Sequence, residues 1–277
     1  MEDIGIVTLT LIAINGIVTY KGLKDFNFLD RFAFHIDQIL IHKDYKRLIT
    51  SGFLHLDWKH FGFNMITLYL FSTSLEPSIG IIAIVLLYAA SLIGGNLLAL
   101  YVHRNHPDYT AVGASGAVSG LVFASIGLFP GMDIGFIIIP IHIPAWLYGI
   151  AYVLYSIYGI KTQRDNIGHE AHLGGGIIGL IVAIFIDPTI LTTNYFPILL
   201  ILIPSFIFLF LMIKKPHILL ISNPFSTSKK AYTIEDKYNE NKASKQVELD
   251  RILDKIHKKG YDKLSKKEKD TLNELSK

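Results

Sequence analysis

Three polar positions interrupt otherwise apolar segments, and their residue types suit acyl transfer. Ser115 lies in Gly113-Ala114-Ser115-Gly116, where a polar loop enters an apolar run that extends to about Phe129. His172 heads a glycine-rich apolar stretch, and His60 is followed four residues later by Asn64. A serine hydroxyl attacks a carbonyl when an imidazole takes its proton, and the same imidazole can return that proton to a leaving amine. The developing oxyanion needs donors. The His60 ring, the Asn64 amide and the Ser115 backbone N–H at a helix N-terminus would supply them, with Gly113 and Ala114 lining the same loop.

Each of these residues also has an ordinary structural use. Serine, glycine and alanine let membrane helices approach closely, and a serine hydroxyl there usually bonds back to its own helix. The Gly-Ala-Ser-Gly cluster alone favours that use, and a histidine–asparagine pair could merely tie two helices together. Ionisable groups at membrane depth are costly, however, and mark function by default. His169-Glu170-Ala171-His172 suggests a zinc site, but a helical site of that kind needs its histidines four apart with Glu beside the first, and these are three apart. No metal and no cofactor are expected.

Helices must bring these groups together. Gly175 and Gly179 leave one side of the His172 helix bare, and Gly116 and Gly120 do the same for the Ser115 helix. Two bare faces allow close backbone packing, with the imidazole in reach of the hydroxyl. His60 and Asn64 share one helix face. Apolar runs are expected at Ile4–Tyr20, Phe61–Leu75, Ile79–Val102, Ser115–Pro130, Ile134–Ile160, Ala171–Ile186 and Tyr195–Ile213, which is seven spans. The first is just long enough to cross about 30 Å at 1.5 Å per residue. If the spans alternate, the second, fourth and sixth run the same way, so His60, Ser115 and His172 fall near one surface. Pro140 and Pro144 predict an irregular start to the fifth span. Residues 21–59 mix basic and aromatic side chains, as an amphipathic segment at the membrane interface would.

Composition agrees with a membrane protein. The 277 residues are 51% hydrophobic, too apolar for a soluble domain. The complete lack of cysteine excludes disulfides, thiolate nucleophiles and Cys-ligated metals. Met1-Glu2-Asp3 is acidic where a signal peptide needs a basic region, so the first apolar run is expected to stay in the membrane. The net charge of +3 is unevenly spread, with a densely charged C-terminal tail. There Val247, Leu249, Ile252, Leu253 and Ile256 recur at helical spacing up to Gly260, and Ser265-Lys266-Lys267-Glu268 fits a capping box opening a helix with Leu272 and Leu275. A small helical hairpin is predicted, docking on the membrane domain or on a protein partner.

Taken together, Gly113-Ala114-Ser115-Gly116, Ala171-His172 with Gly175 and Gly179, and His60-x-x-x-Asn64 resemble the rhomboid intramembrane serine proteases. The resemblance runs from about Ile4 to Ile186 and includes Phe53-Leu54-His55 before the second span and Glu76 with Gly80 after it. It implies an all-α, polytopic membrane helical bundle with a six-helix core over residues 1–190, and outside that core the hydropathy and charge of the chain predict a seventh helix over 191–214 and a charged tail over 215–277. It implies a Ser115–His172 dyad with His60 and Asn64 at the oxyanion, and substrates that are single-span or multi-span membrane proteins cut in or beside a transmembrane segment. Two positions depart from the family. Many members carry an aromatic residue four after the serine, packed on the catalytic imidazole, where this chain has Ser119. The Trp-Arg pair often found in the first loop reads Lys46-Arg47.

A channel or transporter could also line a path with His, Asn and Ser, but no internal repeat between halves is present. A non-enzymatic relative would lack the serine or the histidine. The expected partners are the lipid bilayer and membrane substrates, without nucleic acid, and the expected location is a bacterial inner membrane. Orientation is contested within the sequence itself. The connections beside the proposed site hold Lys21, Lys24, Arg31, Lys43, Lys46, Arg47, Lys59, Arg104, Lys161 and Arg164, and the opposite connections hold none. The positive-inside rule would turn the site to the cytoplasm, whereas the family resemblance implies the outer side. The outward reading stands if the first loop is folded and its basic residues anchor it.

Overall fold

The computed structural model describes residues 5–135, 142–162 and 167–214, and in the tail 252–253, 255–256, 263–265, 268–269 and 271–272. The chain divides into two compact units, Met1–Ser226 and Thr227–Lys277.

Among the described residues seven long helices build the first unit, and all the predicted spans but the fifth map onto them with modest shifts at the ends. They are α1 (Ile6–Lys24), α5 (Trp58–Ile79), α6 (Ile81–His103), α7 (Ser115–Leu128), α8 (Ala145–Thr162), α9 (His169–Ile186) and α11 (Tyr195–Lys214). Between them lie the short helices α2 (Phe26–Phe32), α3 (Ile36–Leu40), α4 (Arg47–Thr50) and α10 (Ile190–Thr193). Among the described residues four helices, α1, α6, α9 and α11, are long and apolar enough to cross a membrane, and α7 is a shorter apolar helix. The protein is a multi-pass membrane helical bundle.

At its centre is α7, whose residues from Gly116 to Gly127 are all buried. A helix that is apolar all round is stable only when other helices enclose it, and α6 and α9 supply the closest walls. Glycines set that closeness. A Cβ on Gly175 would run into the Gly116 carbonyl, one on Gly179 into the Gly120 carbonyl, and one on Gly95 into the Ala171 carbonyl. These are backbone atoms that cannot swing aside, so the α6–α9–α7 seam requires bare positions. At the far end, the Asn194 amide donates to the carbonyls of Ile126 and Gly127 at 2.8 and 2.9 Å, capping α7. Glu76 accepts from the Val7 and Thr8 backbone N–H groups at 2.9 Å each and from the Thr8 hydroxyl at 2.7 Å. This bonds the end of α5 to the free N–H groups at the start of α1, so the two helices run antiparallel.

Two expectations are corrected. The fifth span does not begin at Ile134. Residues Asp133–Gly135 pair antiparallel with His142–Pro144, and the helix starts only at Ala145. Proline has no N–H to donate and biases its predecessor toward extended backbone, so Pro144 favours a helix that begins after it. The first loop is not a single amphipathic segment. It folds into α2, α3 and α4, a 3-10 turn at Ser51–Phe53 and a strand Phe34–His35 that pairs with Thr110–Ala111. Its own small core holds Phe34, Ile36, Ile39 and Leu48 against Ala99 of α6. Arg47 is buried and fastens it. Its Nη1 donates to the carbonyls of Asp30 and Ala33 at 2.8 and 2.7 Å, and its Nε to Asp44 Oδ2 at 3.0 Å.

In the tail, the predicted capping box is formed. The Ser265 N–H donates to Glu268 Oε2 at 2.7 Å and the Glu268 N–H to Ser265 Oγ at 3.2 Å. Lys255 grips both Glu268 oxygens at 2.7 and 2.8 Å. That ammonium, with the capping serine, holds the Glu268 carboxyl down at about 2. Ile252 and Leu264 are buried, while Val247, Leu249 and Leu275 lie outside the described residues.

Candidate active site

The loop before α7 is fixed by backbone geometry that admits one residue type. Gly113 has φ +142°, and a Cβ there would stand 2.9 Å from His60 Cε1, 3.0 Å from His60 Nε2 and 3.6 Å from Ser115 Oγ. A side chain is thus excluded twice, by conformation and by space. The same point marks the meeting of two predicted groups: the His60 ring and the Ser115 hydroxyl border one small volume at the N-terminus of α7. The Gly113 N–H donates to the Ser51 carbonyl at 3.0 Å, tying this loop to the folded first loop. Asn96 continues the tie, donating to the Leu48 carbonyl at 2.8 Å and to Ser51 Oγ at 3.2 Å.

His55 supports the loop from below. Its Nε2 lies 3.5 Å from the Ala114 N–H and its Nδ1 2.8 Å from Thr19 Oγ1, which itself donates to the Phe53 carbonyl at 3.3 Å. Because Nε2 must accept from a backbone N–H, the proton belongs on Nδ1. The ring is fully buried and stands edge-on to His60 and Phe61. Burial, with the neighbouring His60 ring, pushes its pKa down to about 3. His55 is therefore a neutral prop.

The remaining predicted residues are distributed as follows. Asp57 caps α5, accepting from the His60 N–H at 2.7 Å. Asn64 is buried, and its amide donates to the His60 carbonyl at 3.0 Å, which leaves its other N–H and its oxygen for the site. His172 lies in the first turn of α9, half-buried, next to Ala171. The Ala171 carbonyl oxygen is 3.2 Å from where a Cβ on Gly116 would stand. The residues adjoining His172 and Ser115 therefore touch, and Gly116, Gly120, Gly175 and Gly179 form the seam that the sequence predicts.

Tyr152 of α8 brings an aromatic ring to His172. Its hydroxyl is 2.8 Å from Ser119 Oγ, and its ring faces His172 with centroids 6.0 Å apart and planes at 28°. Sequence reasoning missed it because Tyr148, Tyr152, Tyr155 and Tyr158 all lie on one helix with nothing to choose among them. His169, buried between Tyr155 and His172, was read only as a metal ligand, and among the described residues no cluster of three or more His, Asp or Glu is arranged to hold a metal ion.

Ser115 at the start of α7, His172 in the first turn of α9 and His60 across the loop thus lie at the same end of the bundle. A model of the rhomboid domain matches residues 42–188. The chain belongs to the rhomboid family. Rhomboid proteins are generally serine proteases, with some inactive members. Among its relatives, this rhomboid is 31% identical over 159 residues to "Rhomboid protein 1, mitochondrial" of Saccharomyces cerevisiae, covering 55% of this chain and 46% of that protein. It is 34% identical over 149 residues to "RHOMBOID-like protein 12, mitochondrial" of Arabidopsis thaliana, covering 48% and 44%. It is 27% identical over 202 residues to "Rhomboid protease AarA" of Providencia stuartii, covering 64% and 71%. The chain thus spans less than half the length of the first two. A second match, to a family of unknown function (DUF6576), covers residues 232–277, within the tail.

Proposed function

We propose that this rhomboid is an intramembrane serine endopeptidase working through Ser115 and His172. The observation that carries this reading is the shared volume at the head of α7, where the His60 ring and Ser115 Oγ both border Gly113. His172 takes the Ser115 proton as Oγ attacks the scissile carbonyl. The tetrahedral oxyanion is met by the Ser115 N–H at the positive end of α7 and by the His60 and Asn64 side chains. Collapse breaks the C–N bond, the amine leaves with the proton from His172, and the acyl group stays on Ser115. Water, deprotonated by His172, then releases the carboxylate and restores the serine. The substrates are membrane proteins cut in or beside a transmembrane segment.

The corresponding division of the chain is a catalytic core over residues 1–190, an added helix over 191–214 and a tail over 215–277 that engages a protein partner. A bacterial inner membrane is the proposed location, on the likeness to the Providencia stuartii protein. Fractionation of the source cells separates this from an organelle membrane, to which the two mitochondrial relatives would point.

Purified protein in detergent is mixed with a single-span test substrate, comparing the native chain with Ser115→Ala and His172→Ala. Cleavage by the native chain alone supports the dyad. Cleavage by Ser115→Ala overturns the site, and a native chain inactive on several substrates supports a binding role without hydrolysis.

A further inference from the structure

Beside the proposed dyad lies a buried polar contact that the reaction does not use. His103, the last residue of α6, brings Nε2 to 3.2 Å from Glu170 Oε1 in the first turn of α9, with both side chains more than nine-tenths buried. The two atoms are in ion-pair range without the alignment of a directed hydrogen bond. The other imidazole nitrogen, Nδ1, faces His106 Nδ1 at 3.4 Å, and the ring stacks on Tyr109 with centroids 3.6 Å apart and planes at 7°. From Tyr109 the chain passes through Thr110–Ala111 to Gly113 and Ser115. Glu170 is two residues before His172. One cluster therefore joins the segment that leads to the nucleophile and the helical turn that carries the base.

We infer that Glu170, through its contact with His103, is a positioning residue for His172, an inference that rests on the Ser115–His172 reading. The glycine seam explains why a polar pin is needed. Ala171 packs against Gly95 and Gly116, so the first turn of α9 is held close by bare backbone, and side chains interlock only further along, where Leu98 meets Gly174 and Ile178 meets Gly94. Such a surface fixes separation better than it fixes sliding along the helix axis. The Glu170–His103 contact adds a fixed point at that level, because it joins the N-terminal turn of α9 to the C-terminal turn of α6 beside it. The charges also suit the helix ends: a carboxylate at the positive end of α9 and an imidazole at the negative end of α6. Removal of Glu170 leaves the His103 ring still stacked on Tyr109, whereas removal of His103 strips a buried acidic side chain of its partner. Glu170 variants are accordingly the cleaner probe.

The test uses the full chain in detergent and an alkyl fluorophosphonate, which Ser115 Oγ attacks at phosphorus with loss of fluoride. Labelling rate and half-saturating probe concentration are measured alongside the thermal unfolding midpoint for the native chain, Glu170→Ala, Glu170→Gln and the exchange Glu170→His with His103→Glu. Since misplacement by about 1 Å can cost on the order of 10²-fold in rate, positioning predicts a loss of that size in the saturated rate for Glu170→Ala. The half-saturating concentration and midpoint are expected to hold, and the exchanged pair to recover part of the rate. Native rates in both single variants overturn the inference and leave the dyad standing. Glu170→Ala and Glu170→Gln that both unfold overturn it as well, since the contact is then structural only. A folded native chain that does not label overturns the dyad reading and this one with it.

Discussion

Ser119 and Tyr152 are joined by a hydrogen bond of 2.8 Å that crosses from α7 to α8 and turns the Tyr152 ring toward His172. Ser119 is one helical turn beyond Ser115, so the residue that lacks the aromatic ring holds a ring supplied from another helix. Aromatic contacts contribute about 0.5–1.5 kcal/mol beyond burial, and 1.36 kcal/mol is tenfold in rate. Tyr152→Leu is therefore expected to lower kcat roughly tenfold with KM little changed. Tyr152→Phe keeps the ring and loses one hydrogen bond, worth about 1 kcal/mol, so its loss should be smaller. Steady-state cleavage by the three proteins decides between ring and hydroxyl, and equal losses would assign the effect to the hydrogen bond.

His55 gives stability a pH dependence whose sign follows from its burial. The native ring stays neutral down to about 3, whereas an unfolded histidine takes up a proton near its ordinary value of 6.5. Between those values the unfolded state binds more protons, so stability is fully present above about 6.5 and falls as pH drops, by up to about 1.4 kcal/mol per unit. His55→Gln removes this term. The difference in unfolding midpoint between the native chain and His55→Gln should be largest at pH 7.5 and narrow steadily toward pH 5. A difference independent of pH would mean that the native ring takes up its proton like the unfolded one.

The glycine seam predicts a contrast within one residue type. Gly175→Ala pushes a methyl into the Gly116 carbonyl and must separate α7 from α9. Overpacking of this kind costs about 1–3 kcal/mol, so the unfolding midpoint and cleavage rate should fall together. A Cβ on Gly62 meets nothing within 4 Å, and Gly62→Ala should leave both unchanged. If the two variants behave alike, the seam is looser than its geometry indicates.

Features that rest on local chemistry were legible in the sequence. The small-residue faces of α7 and α9 required close packing, and Ser265 with Glu268 required a capping box, because in each case the interacting groups are near in sequence or repeat along one helix face. The hairpin before α8 was half legible: Pro140 and Pro144 announced an irregular start, but nothing local showed that Asp133–Gly135 would find a partner strand. The folding of the first loop depends on Arg47 reaching the carbonyls of Asp30 and Ala33, and the neighbourhood of His172 depends on Tyr152, Glu170 and His103 converging from three helices. Contacts between side chains so far apart along the chain leave no periodic trace.

Orientation follows from the way the basic residues are used. The charge asymmetry that favours a cytoplasmic site counts Arg47, yet this guanidinium is buried on two carbonyls and the Asp44 carboxylate, inside a loop with its own core. A charge neutralised and desolvated within a folded element reports on packing rather than on which side of the bilayer the loop lies. The site side is accordingly expected to face away from the cytoplasm. Asp108 and Pro188 are both exposed, in connections at opposite ends of the bundle, and the chain has no cysteine of its own. Asp108→Cys should react with a membrane-impermeant thiol reagent in intact cells while Pro188→Cys reacts only after lysis. The reverse pattern would put the site at the cytoplasmic face and return the basic residues to their usual meaning.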